Sequence, residues 1–249
     1  MEKKGIPFRQ IHLDFHTSPL IGDIGAEFDA EEFADTLKKA HVNSINLFTK
    51  CHHGMFYYPT AIGTMHPGLI FDLFGAQMQA CREHEIRALA YTCVSWNEDW
   101  AARHPEWLMV NAEGIWGNKK PFDSSYYSWK CICYNNKDYQ EILKAEMKEV
   151  YDRYHPDGFW IDIVQGRGCV CTTCSGDMKA LGLDPENATD VRRFDKISET
   201  RFCEEFYRYL KSLDGDLEIY FNSFPYELDD GSDTLCSSIE KRKYFDFLD

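Results

Sequence analysis

The feature that most constrains this chain is its rhythm. Short apolar runs alternate with helix-period stretches from residue 9 almost to the last residue. Repeated strand–helix units of this kind build a parallel sheet, either open and doubly wound or closed as a barrel. Strands are expected at residues 9–15, 42–48, 86–93, 159–164 and 217–222, with 244–248 starting a sixth. Helices are expected at 29–40, 71–84, 138–154 and 190–213. Asp29 opens the first, with Glu32 at the reciprocal position of a capping box. The third carries Tyr139, Ile142, Leu143, Met147, Val150, Tyr151 and Tyr154 along one face. Between them, residues 96–129 are aromatic and irregular, with a small hairpin expected at 107–116.

Two observations favour a closed barrel. No glycine-rich phosphate loop follows the first strand, so a dinucleotide site lacks its signature and no organic cofactor is expected. Polar residues also recur near the strand ends: Asp14 and His16, Asn46, Tyr91, Asp162 and Asn222. Such residues suit a site at the C-terminal rim of a (β/α)8 TIM-type barrel. About six strands are legible, fewer than that fold's full set. The expectation is one α/β domain over residues 1–249, a TIM barrel truncated at its C-terminal part.

Net charge narrows the partners. With 27 basic against 41 acidic side chains the chain carries −14, which argues against nucleic-acid and anionic-membrane surfaces. The N-terminus has no apolar signal-peptide core and no segment reaches membrane-span length. A soluble, cytoplasmic protein is expected. Its ten cysteines then read as reduced thiols with one metal cluster rather than as a disulfide framework.

The chemistry gathers in residues 157–174, DGFWIDIVQGRGCVCTTC. Phe159, Trp160, Ile161, Ile163 and Val164 surround Asp162, and a carboxylate in an apolar strand needs a partner or a catalytic task. Just beyond, Cys169, Cys171 and Cys174 form C-x-C-x-x-C. Zinc takes four such ligands in a tetrahedron; Cys133 is the first candidate for the fourth and Cys131 the second. A closed shell of four cysteines would be structural. His12, Asp14 and His16 share a strand face as H-x-D-x-H, a polar lining that also resembles the H-x-H of barrel amidohydrolases. His52 and His53 follow the second strand in a loop with Phe56, Tyr57 and Tyr58, while Tyr91, Trp96 and Trp100 lie at the end of the third. Aromatic faces with neutral donors suit a sugar.

At FRQIHLDFHTSP, ICYNN, GFWIDIV with CVCTTC, and GLDPENATDVRRF the chain resembles the hypothetical glycosyl hydrolase family six domain, a barrel module of α-L-fucosidase-like enzymes. The resemblance spans nearly the whole chain and implies a homo-oligomer, since that module is often followed by a β-galactosidase-type trimerisation domain. FTKCHHGMFYYP is similar to the double-histidine loop of family twenty-nine α-L-fucosidases, whose histidines bind the sugar and whose nucleophile is an aspartate ending strand four. That implies Asp162 as nucleophile and His16, His52, His53, Tyr91, Trp96 and Asn222 as substrate contacts. Two departures stand out: Gly54 replaces the acidic residue usual after the histidines, and Ile163 replaces the glycine usual after the aspartate. Cys133 with Cys169, Cys171 and Cys174 matches the structural zinc site of family forty-two β-galactosidases, whose Asn-Glu pair is replaced here by Ile163-Val164.

The resulting expectation is a retaining exo-glycosidase of α-L-fucosidase type acting on oligosaccharides or glycoconjugates. Its acid/base would be a second carboxylate, either among Glu218, Glu227, Glu240 and Asp249 or in the part of the barrel expected to be missing. The alternatives are a β-galactosidase-like glycosidase, a metal-dependent amidohydrolase using His12 or His16, and a non-catalytic carbohydrate-binding barrel.

Overall fold

The structure is a computed structural model, and it describes residues 9–114, 129–222 and 243–247. In chain order the elements are β1 (Gln10–His12), α1 (Ala30–Lys39), β2 (Ser44–Phe48), the short strands β3 (Met55–Phe56) and β4 (Thr64–Met65), α2 (Leu73–Glu83) and β5 (Arg87–Cys93). There follow α3 (Glu98–Arg103), a 3₁₀ turn (Pro105–Trp107), α4 (Lys137–Tyr154), β6 (Gly158–Asp162), α5 (Thr172–Ala180), α6 (Ala188–Leu213) and β7 (Glu218–Phe221).

Local chemistry sets these boundaries. The side chains of Asp29, Asp72 and Asn136 accept the amides of Glu32, Gly75 and Tyr139, at 2.8, 2.7 and 3.0 Å, and so start α1, α2 and α4. The last ends where His155 turns left-handed at φ 46°, immediately before Pro156. Its buried face is Tyr139, Gln140, Leu143, Glu146, Met147, Val150 and Tyr154. Ile142 and Tyr151 are only half-buried, and a glutamate sits in the middle of the stripe instead.

Five strands form one sheet in the order β1-β2-β5-β6-β7, every pair parallel. The order never reverses. A doubly wound sheet has a switch point where strand order turns back; a sheet wound in one direction, strand after strand, is the course of a barrel wall. The short β3–β4 pair stands apart from it. Of residues 244–248, expected to begin a sixth strand, the described part, 244–247, forms turns and bends instead. Asp246 exchanges backbone and side-chain bonds with Ile219 on β7, at 2.9 and 3.0 Å, without continuing as a strand. The expected hairpin at 107–116 is also corrected over its described part: Leu108 bridges to Ile132, and Met109 donates to Cys131 O at 2.9 Å.

Register decides what faces inward. Phe48, Tyr91, Trp160 and Tyr220 are lateral neighbours with ring centroids 3.8, 5.4 and 5.4 Å apart, the first two pairs stacked and the third tilted. Asp162 lies two residues beyond Trp160 and so on the same face, above an aromatic floor. Below the floor, Arg87 pairs with Glu218 and donates to Gln10 and Ser44 at 3.2 and 2.9 Å. Glu218 aligns with Gly158, four positions before Asp162 and thus roughly 13 Å down the strand. It is not the acid/base of a site at Asp162.

Candidate active site at the rim of the sheet

Asp162 ends β6 and is 6% exposed. Four donors meet its carboxylate. Oδ2 accepts the Tyr91 hydroxyl and, at 3.3 Å, His52 Nε2. Oδ1 accepts Asn222 Nδ2 at 2.8 Å and the Ile163 amide at 2.9 Å. Burial pushes this carboxyl up, but hydrogen bonds from His52 and Tyr91, the field of His52 and the bond from Asn222 outweigh it, so Asp162 titrates below its ordinary range. Burial foremost, then Cys93 and Asp162, push the Tyr91 phenol well above its ordinary value, which keeps it a donor.

The tautomers follow from geometry. The Tyr91 proton goes to Asp162, so His52 Nε2, 2.9 Å from the Tyr91 oxygen, carries a hydrogen itself. His16 stacks on His52 at 3.5 Å. Its Nδ1 accepts the His52 amide at 3.1 Å, which leaves Nε2–H to reach Asp14 at 2.8 Å. Burial, then repulsion from His52, lowers His16 to about 3, so the ring is neutral near pH 7.

Aromatic side chains wall the cluster. Trp96 stands edge-on to His52 at 4.7 Å, and Arg167 lies over the Trp96 ring at 5.1 Å. Trp129 packs 4.4 Å from His53 and 5.3 Å from His52. His53 Nδ1 meets Glu98, the first residue of α3. Asn97 caps that helix by accepting the Trp100 amide at 2.9 Å. Asn97, Glu98 and Asp99 in succession are a helix-start signal inside a stretch read as irregular. Trp129, Glu98 and Arg167 were not singled out by the sequence; no spacing motif links them to the histidines.

Both departures from the fucosidase pattern have a visible cause or cost. Gly54 has φ 83°, and a Cβ there would run into the Asn97 side chain, so no acidic side chain fits after the histidines. Ile163 has φ 58°, left-handed backbone that a β-branched residue adopts only under constraint.

Every substrate residue expected from the resemblance thus lies in or beside one cluster with Asp162. Tyr91 and Asn222 direct their donors at Asp162 itself. His12 accepts the Asn46 amide at Nδ1, 2.9 Å away, and no group of three potential metal ligands among the described residues includes His12 or His16. Cys93, His52 and Asp162 do bring ligand atoms within 4.8 Å of one another, yet both oxygens of Asp162 already hold two donors each. Of the remaining acid/base candidates, Glu227, Glu240 and Asp249 lie outside the described residues.

A second corner gathers Cys133, Cys169, Cys171 and Cys174, their sulfurs all within 4.8 Å of one another. Cys133 is 3.5 Å from Cys174 and 3.7 Å from Cys171. Four thiolates about 2.3 Å from a zinc ion stand roughly 3.8 Å apart, so this set fits a tetrahedral ion. Cys131 points elsewhere, to the Met109 sulfur at 3.3 Å. Cys174 lies on α5, a helix that is not among those expected from the sequence.

The profile described as hypothetical glycosyl hydrolase 6 matches residues 29–163, just over half of the 249 residues. Among solved structures, alpha-L-fucosidase isoenzyme 2 from Paenibacillus thiaminolyticus is similar at 36% identity and a TM-score of 0.77, over 88% of this chain and 33% of that one. The chain therefore spans about a third of that fucosidase. The PgaB (BpsB) glycoside hydrolase domain from Bordetella bronchiseptica has a TM-score of 0.64 at 12% identity, over 87% of this chain and 64% of that one. A hypothetical protein from Ruminiclostridium thermocellum has 0.54 at 12%, over 78% and 90%. These last two are likenesses of fold alone. No curated protein matches.

Proposed function

This chain belongs to the hypothetical glycosyl hydrolase 6 family, and from that premise we propose that it is the catalytic barrel of a retaining exo-glycosidase of α-L-fucosidase type. The observation that carries the proposal is Asp162: a buried carboxylate at the C-terminal end of its strand, held ionised by four donors beneath a cluster of histidines and tryptophans. The 36% identity to a fucosidase supports the choice of sugar.

In the proposed reaction Asp162 attacks the anomeric carbon while a second carboxylate, about 5 Å away, protonates the departing oxygen. The glycosyl–aspartate ester is then hydrolysed by water that the same second carboxylate deprotonates. Oδ2 is the attacking oxygen. Oδ1 is gripped by Asn222 and the Ile163 amide, whereas the His52 contact to Oδ2 is the longest of the four at 3.3 Å. Tyr91 stays on Oδ2 and keeps the carboxylate from rotating. His52 Nδ1 bonds a sugar hydroxyl, and His16, held neutral, orients His52 by stacking. Trp96 and Trp129 offer apolar faces to the C–H side of the ring.

The cysteine corner would hold a structural zinc ion in a closed shell, fastening residues 131–133 to the loop beyond Asp162. Nine described cysteines are free, which suits a reducing compartment, and the proposal extends to the cytoplasm. Among the described residues no helix is long and apolar enough to cross a membrane.

The test is turnover of an aryl α-L-fucoside by the unsubstituted chain and by Asp162→Asn, with mass spectrometry of the chain after a 2-fluoro-fucosyl trap. Turnover lost in the variant and an adduct on Asp162 support the proposal. An adduct on another carboxylate, or unchanged turnover, sinks it.

A further inference from the structure

Five described residues other than glycine have positive φ: Asp23, His41, Glu85, His155 and Ile163. The first four are polar residues at turns or helix ends. The fifth is β-branched, buried, and directly follows Asp162. Left-handed backbone is disfavoured for such a residue by roughly tenfold in population, so something nearby must hold it.

The neighbouring strand end does so. The β5–β6 ladder closes at Cys93 and Asp162, and Val94 N–H still donates to Asp162 O at 2.9 Å. At the next position the main chain no longer matches, and the Ser95 hydroxyl donates to Ile163 O at 2.7 Å instead. Ser95 is itself fully buried, and its carbonyl accepts Ile132 N–H at 2.7 Å. Ile132 lies between Cys131 and Cys133, so the far side of Ser95 is gripped by the segment that enters the cysteine corner. With its carbonyl fixed, Ile163 turns its own amide onto Asp162 Oδ1 at 2.9 Å.

We propose that Ser95 is a positioning residue: its hydroxyl holds Ile163 left-handed, which supplies the fourth donor to Asp162 and fixes which carboxylate oxygen faces the substrate. The catalytic part of this inference rests on Asp162 being the nucleophile; the structural part does not. Without the hydroxyl, Ile163 relaxes to negative φ and its amide leaves Oδ1. The carboxylate then loses a donor and its pKa rises. Glycine at 163 adopts the left-handed state unaided, so it should replace the hydroxyl's function.

The experiment compares the unsubstituted chain, Ser95→Ala and Ser95→Ala/Ile163→Gly. The readouts are kcat and KM on an aryl α-L-fucoside, the acid limb of the pH–rate profile, and the titration of Asp162 followed by carboxyl-carbon NMR. Ser95→Ala should lower kcat about tenfold with little change in KM and move the acid limb and the Asp162 titration upward. The double variant should regain most of the lost kcat. A double variant as slow as Ser95→Ala, or an Asp162 titration unmoved by Ser95→Ala, overturns the proposal. If the unsubstituted chain turns over no glycoside, the functional reading falls and the NMR titration alone decides Ser95. Should Ser95→Ala not fold, Ile163→Gly and the double variant carry the comparison: matching titrations support the proposal, and a titration that still moves upward when the hydroxyl is removed overturns it.

Discussion

Glu146 and Asp162 are both buried acids, 2% and 6% exposed, yet the fold sets them in opposite surroundings. Glu146, midway along α4, meets the ammonium of fully buried Lys50 at 2.5 Å and the Trp100 indole N–H at 3.0 Å. Asp162 meets a phenol, an imidazole, a carboxamide and an amide, with no lysine or arginine among them. A fixed cation cancels the charge of a carboxylate and ties it to one geometry. Dipolar donors hold the charge in place without cancelling it, so it stays available to an electron-poor carbon. Position matters equally: Asp162 is at the C-terminal end of its strand, while Glu146 is buried on α4 against Lys50, just after β2, and Trp100 of α3. Under the proposed function, one acid serves cohesion and the other chemistry.

Exchanging each acid for its amide is the sharpest way to break this contrast. Asp162→Asn should cost about a thousandfold or more in kcat while leaving thermal unfolding nearly unchanged. Glu146→Gln strands the Lys50 ammonium in the core, and breaking a buried pair in this way costs about 3–5 kcal/mol. In a chain of this length that is a fall in Tm of roughly 10 °C, with kcat per folded molecule retained. A melting curve and a single rate for each variant decide the matter. Equal loss of activity in both would remove the distinction drawn above.

Smaller effects test how Asp162 is supported. Cys133→Ser removes one of four sulfurs, so zinc measured by mass spectrometry should fall from about one ion per chain to almost none. Tm should drop by several degrees, and Asp162 should remain in place. Zinc retained by the variant would show that Cys133 is not a ligand. The most gradual effect concerns His16. Its pKa is about 3 in the fold against 6.5 unfolded, so between those values the unfolded chain binds the extra proton. Stability is therefore fully present above pH 6.5 and declines as pH falls towards 3, by at most about 1.4 kcal/mol per pH unit from this group. His16→Asn should flatten that part of the profile, as followed by urea unfolding at a series of pH values. An unchanged slope would mean that His16 is not held neutral.

Local signals carried most of the fold. The helix expected at 138–154 begins at Lys137 and ends at Tyr154, because its cap, its apolar period and His155-Pro156 all act within a few residues. Asp162 was visible as a charge in an apolar strand. α3 and α5 were passed over because each is short, and the second shows little periodicity beyond its cysteines. Glu146 was invisible for the opposite reason. A polar residue in a helix reads as solvent-facing unless its partner is known, and Lys50 lies 96 positions away in the chain.

By itself, then, the sequence determined the main alternation of strands and helices, the parallel sheet that follows from it, and the residues able to do chemistry. It did so because caps, periodicity and side-chain reactivity are properties of short stretches. Only the tertiary structure decided how those residues are used. It directed the donors of Tyr91 and Asn222 at a carboxylate, set Glu218 at the far end of the sheet from Asp162, and brought left-handed Ile163 against the hydroxyl of Ser95, two residues beyond β5. Each of these depends on register between strands distant in sequence, and register is fixed by the packing of whole faces rather than by any residue's own preference.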